Sequence, residues 1–111
     1  MTTVDTHGDL AIVHVAGDRL DAAATGAFKQ AMTDGIGAGT ARVLLDLGAV
    51  EFVDSTGLGA IVAVMKKLPA DGVLVIAAAR QPVRRLLQIT GLDRLFRQFE
   101  TVEEALADLG R

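Results

Sequence analysis

Two hydrophobic rhythms alternate along the chain. Leu10-Ala11-Ile12-Val13-His14-Val15-Ala16 reads as a strand, with Leu10, Ile12 and His14 on one face and Ala11, Val13 and Val15 on the other. Arg42-Val43-Leu44-Leu45-Asp46-Leu47 is a β-branched and aliphatic run that also reads as a strand. Val73-Leu74-Val75-Ile76-Ala77-Ala78 is continuously apolar, the pattern of a strand covered on both faces. Between these runs the period becomes helical. Ala24, Phe28, Ala31 and Met32 share the apolar face of a helix expected from Ala22 to about Gly35, with Asp21 as its N-cap. Leu58, Ile61, Val62, Met65 and Leu68 mark a second helix over Thr56–Leu68, broken by Pro69-Ala70-Asp71-Gly72. A third has Pro82 in its first turn, Val83, Leu86 and Leu87 on its inner face and Gly91 as C-cap. Thr101-Val102-Glu103-Glu104 is a capping box opening a fourth, which buries Val102, Ala105, Leu106 and Leu109. Weaker strand signals lie at Thr2–Thr6, ahead of a Gly8-Asp9 turn, and at Leu95–Phe99. An opening pair of strands followed by alternating helices and strands predicts an α/β fold, with a mixed, mostly parallel sheet of four to five strands and about four helices packed on it.

Size and composition narrow the functional classes. The 111 residues are expected to form one domain, 1–111, with a single modest core. Half the residues are hydrophobic but only 4% are aromatic, so Ala, Val, Leu and Ile must build that core. A net charge of −3 offers no support for nucleic acid, which asks for a basic patch. With no cysteine, disulfides, thiol chemistry and Cys-ligated zinc are excluded. The first residues lack a signal peptide's basic start and apolar core, and no apolar run approaches the ~18 residues of a membrane helix. The expectation is a cytoplasmic protein with no membrane partner.

The candidate chemistry lies between the second strand–helix pair, in Asp54-Ser55-Thr56-Gly57-Leu58-Gly59. Asp54 or Ser55 can cap the helix by accepting a free N–H of its first turn. The same helix start carries partial positive charge and would favour a phosphate on Ser55. A capped helix with no further role uses the same residues. An enzyme is disfavoured, because Ser55 has no identifiable histidine base and a serine without one is a poor nucleophile. Gly57 and Gly59 are too few for a dinucleotide or phosphate loop. Asp46 and Asp54 lack the cluster of acids that would hold Mg²⁺. His14 pairs with no second His, Asp or Glu at a metal spacing and reads as a surface or partly buried residue. No catalytic residue, metal site or cofactor is expected. Arg80, Arg84 and Arg85 read as a solvated basic face.

The signature loop, preceded by a strand ending Leu45-Asp46-Leu47 and by Val50-Glu51-Phe52-Val53, resembles that of the STAS domain, and more narrowly of bacterial anti-sigma factor antagonists. Gly17-Asp18-Arg19-Leu20-Asp21 resembles the turn that lies beside that loop in the family. Gln81 through Leu92 resembles its third helix with a Thr-Gly-Leu ending, and Phe96 through Leu106 its closing strand and helix. The chain departs from the pattern in a Gly-rich link at 35–39 and in Thr56, where a second Ser is more usual. The resemblance implies phosphorylation of Ser55, with Thr56 as second candidate, by a partner that is both serine kinase and anti-sigma factor of the histidine-kinase-like ATPase fold. A serine phosphatase would reset the switch. It further implies that Asp21, Asp54, Ser55, Thr56, Gly57 and Leu58 line the partner surface. Unphosphorylated, such a chain binds the anti-sigma factor and frees the sigma factor. The alternative within the family is a constitutive subunit of a larger complex, such as a lipid-transport ABC system or a stressosome.

Overall fold

The computed structural model describes residues 2–110, so the two ends of the expected 1–111 span lie outside it. A five-stranded sheet runs in the order β1-β2-β4-β6-β7, from β1 (Thr3–His7) and β2 (Leu10–His14) through β4 (Arg42–Asp46) and β6 (Val73–Ala77) to β7 (Arg97–Phe99). Only β1 is antiparallel to its neighbour; the β2–β4, β4–β6 and β6–β7 pairs are parallel. The mixed, mostly parallel α/β sheet expected from the sequence is therefore present, with helices α1 (Thr25–Gly35), α2 (Ser55–Lys66), α3 (Gln81–Thr90) and α4 (Val102–Leu109).

The alternation in β2 sorts the core into two layers. Ala11 and Val13 face the main cluster with Phe28 and Met32 of α1, Ile61 and Val64 of α2, and Val83 and Leu87 of α3. Leu10 and Ile12 face the opposite side, where Leu44, Val75, Ala77 and Ala105 of α4 complete a smaller cluster. Three helices thus cover one face and one short helix the other, which is why the central strands are apolar at nearly every position. Gly91 ends α3 in the left-handed region at φ +78, the C-cap role its position suggested.

Several expected boundaries move. A second, two-stranded sheet pairs β3 (Arg19–Leu20) in parallel with β5 (Phe52–Val53), where the sequence showed only a turn and a connector. Helix α1 begins at Thr25 rather than Ala22, so Asp21 does not cap it. Asp21 instead organises the turn ahead of the helix, its Oδ1 accepting from Ala24 N at 3.2 Å. Ala22 N–H donates to Asp54 Oδ2 at 3.2 Å, which ties this turn to the start of α2. Helix α2 includes Ser55, which leaves Asp54 as the cap, and it ends at Lys66 instead of Leu68. The closing strand is shortened to Arg97–Phe99 because Leu92–Arg94 form a 3-10 turn. His14 has acidic partners after all. The parallel register sets it opposite Asp46, whose Oδ2 lies 2.7 Å from His14 Nδ1, and Asp5 of β1 approaches Nε2 at 3.8 Å.

Candidate functional site

The small sheet builds the site. Its register places Arg19 opposite Phe52 and Leu20 opposite Val53, so the chains leave it side by side at Asp21 and Asp54. Asp54 is extended at φ −99, ψ −176, and its Oδ1 accepts from Gly57 N at 2.9 Å, closing the first turn of α2. Its other oxygen takes Ala22 N–H, and its own N–H donates to Leu20 O at 3.3 Å. One aspartate therefore caps α2 and fastens the β3 segment to the loop. Gly57 completes the junction. It is buried, and a Cβ there would stand 2.0 Å from Leu20 O, so only glycine lets α2 start this close to β3. Gly59, one turn position on, has open space around it.

Ser55 and Thr56 occupy the first two positions of α2 and both are exposed. Their hydroxyls form no hydrogen bond among the described residues. Thr56 does not turn its oxygen to the backbone, so burial does not separate it from Ser55 as a modification candidate. Thr56 differs in lying one residue deeper into the helix and in its β-methyl group. Gly57 and Leu58 are buried, Leu58 at 8% exposure, and serve the junction and core first. Leu58 still edges a shallow groove of about 400 Å³ that runs from Ser55 along α2 past Gly59, Val62 and Ala63 to Leu92.

Asp21 stands beside this helix start. The Arg19 guanidinium holds its carboxyl below the usual carboxylate range by a hydrogen bond from Nε at 3.0 Å, against an opposing push from desolvation, and the Ala24 N–H adds to the lowering. Arg19 in turn lies over the Phe52 ring, 4.3 Å from its centroid. Asp21, Asp54 and Ser55, which the sequence placed near one another, are brought together at this helix start, with Arg19 and Phe52 beside them, neighbours that the sequence reading did not single out. The exposed aromatic in a connector, two residues before the cap, was the available signal. Among the described residues no group of three or more His, Asp or Glu could hold a metal ion, and no helix is long and apolar enough to cross a membrane.

The sequence profile of the STAS domain matches residues 1–105. The chain belongs to the STAS-domain family. A STAS relative, the anti-sigma-F factor antagonist RsfB of Mycobacterium tuberculosis, is 30% identical over 104 residues, covering 94% of this chain and 84% of its own. The crystal structure of an anti-sigma factor antagonist from Mycobacterium paratuberculosis superposes with a TM-score of 0.88 at 30% identity, covering 100% of this chain and 94% of the other. Bacillus SpoIIAA, solved as an anti-sigma factor antagonist in its unphosphorylated form, shares the fold at a TM-score of 0.77 and 21% identity, covering 98% of this chain and 96% of its own. These STAS relatives carry the names of regulatory proteins rather than enzymes.

Proposed function

We propose that this STAS domain is an anti-sigma factor antagonist switched by phosphorylation. The observation that carries the reading is Ser55: an exposed, unbonded hydroxyl at the first position of α2, on a rim where Asp54 and Asp21 are fixed side by side. In the unmodified state the rim docks on an anti-sigma factor that is also a serine kinase of the histidine-kinase-like ATPase fold, and the sigma factor is released. The kinase transfers the γ-phosphoryl group of ATP to Ser55 Oγ, whose proton is lost as ADP departs, and a serine phosphatase reverses the change by hydrolysis. The added charge of about −1.5 to −2 falls on a surface that already carries Asp18, Asp21, Glu51 and Asp54. Docking is then opposed by bulk and by repulsion, while the helix start tolerates the phosphate. The chain itself supplies no catalytic group, and its role lies in the cytoplasm, where sigma factors act.

A pull-down from a lysate of its own cells tests the reading, with the unmodified chain and the phosphorylated chain as paired baits. An ATPase-fold anti-sigma factor is expected on the first bait and depleted at least tenfold on the second, which corresponds to about 1.4 kcal/mol. Recovery of membrane-transport subunits on both baits alike would replace the antagonist reading with that of a constitutive subunit.

A further inference from the structure

The two segments that make the rim, residues 17–24 and 48–57, contain four acids, Asp18, Asp21, Glu51 and Asp54, and one basic residue, Arg19. Arg80 joins the second segment from the start of α3, its Nε donating to Gly48 O at 2.8 Å at the end away from Ser55, so Arg19 is the one cation of the two segments themselves, and the first turn of α2 carries no acid. The placement of Arg19 is specific. Its Nε donates to Asp21 Oδ2 at 3.0 Å and its guanidinium rests on Phe52, so the stem and one donor are fixed. The two Nη amines find no hydrogen-bond partner among the described residues, and the side chain is 56% exposed. A guanidinium held by one edge with its fork free suits bidentate binding of a phosphate.

The register supplies the distance. Arg19 stands opposite Phe52 in a parallel pair, and Ser55 lies three residues beyond Phe52, about 10 Å along at 3.3 Å per residue and one strand spacing of about 4.8 Å across, so about 11 Å between Cα atoms. The hydrogen bond to Asp21 shows that the Arg19 side chain already leans toward that end. The combined lengths of an arginine and a phosphoserine side chain bridge the interval.

We propose that Arg19 is the phosphate-binding residue of the modified protein, its Nε staying on Asp21 while its Nη amines take the phosphoryl oxygens of phospho-Ser55. The inference rests on the reading of Ser55 as phosphoacceptor. It adds that the phosphorylated state folds a cation over the rim and covers Asp21 together with Ser55. The off state is then a closed ion cluster of Asp21, Arg19 and phosphate at the start of α2, rather than a phosphate standing free in solvent.

The test uses the full chain with phosphoserine installed at position 55 during translation, which needs no kinase. Phosphorus NMR follows the phosphate through its second ionisation, ordinarily near pH 6. A neighbouring guanidinium favours the dianion and the rim acids oppose it, so the reading is the difference: the midpoint should rise by about 0.5 pH unit or more from wild type to Arg19→Gln, roughly a threefold change in the ionisation constant. Arg19→Lys, which keeps the charge and loses the fork and the stacking geometry, should fall between the two. Coincident midpoints in wild type and Arg19→Gln, with both proteins shown folded by their amide spectra, would overturn the proposal. A cognate kinase that fails to modify Ser55 would instead sink the switch reading and leave the measured phosphate contact standing.

Discussion

Helices α2 and α4 begin in the same way and serve different ends. Each has an extended N-cap whose side-chain oxygen accepts the N–H three residues on, Asp54 from Gly57 at 2.9 Å and Thr101 from Glu104 at 3.0 Å. The α4 cap is self-contained. Its first turn carries Glu103 and Glu104, which already answer the partial positive charge of that helix end. The first turn of α2 carries no acid, and the second oxygen of its cap is spent on Ala22, 32 residues away in sequence. So α4 is closed by its own sequence, whereas α2 is tied through its cap to a distant segment and keeps an exposed hydroxyl at its first position. A helix start of the first kind stabilises a fold. One of the second kind can also receive a phosphate without disturbing it.

Gly57→Ala should break the comparison most severely. The new methyl meets a backbone carbonyl at 2.0 Å and cannot be relieved by a rotamer change, so a loss of about 3 kcal/mol or more is expected by chemical denaturation. A near-neutral result would mean that the β3 segment is not fastened to α2. Next comes the pair of cap removals. Asp54→Ala loses a cap and the cross-link to Ala22, about 2 kcal/mol together, while Thr101→Ala loses a cap alone, about 1 kcal/mol. Equal losses would remove the distinction drawn between the two helix starts.

Those differences also show what was readable in the sequence. The hydrophobic periods locate all four helices and the central strands, because each buries a face large enough to impose its period. The loop motif picks out Ser55 and Asp54, since cap chemistry is local. Most of what escaped depends on pairing at long range. Two-residue strands such as Arg19–Leu20 and Phe52–Val53 are too short to alternate, so the small sheet left no pattern. Ala22, Ala23 and Ala24 suit a helix by propensity, yet Asp21 holds Ala24 N–H and Thr25 N–H in a turn ahead of α1, a local geometry that propensity does not signal. The contact of His14 with Asp46 exists only through the β2–β4 register.

Smaller effects sharpen the contrast. Gly59→Ala fills open space in an exposed helical position and should raise stability by about 0.5–1 kcal/mol, opposite in sign to Gly57→Ala two residues away. Ser55→Asp should change stability by less than about 1 kcal/mol, because α2 accepts negative charge at its first position. Asp21→Asn is expected to be the mildest, with a melting temperature close to wild type at neutral pH and weakened partner binding. Because Asp21 has its carboxyl lowered from 3.8, whatever stability its charge contributes is present above that value and lost as pH falls through the lower folded value. Wild type and Asp21→Asn should therefore converge in acid.

The switch depends on Ser55 as the acceptor at the start of α2. Incubation of the chain with its cognate kinase and ATP, read by intact mass and fragment sequencing, tests this most directly. The expected result is one phosphate, at Ser55, absent in Ser55→Ala, with that variant still binding the unphosphorylated chain's partner and still folded. Phosphate uptake by Ser55→Ala would place the acceptor elsewhere, with Thr56, also exposed, the next to substitute. Phosphorylation of Ser55 that leaves partner affinity unchanged would contradict the account outright.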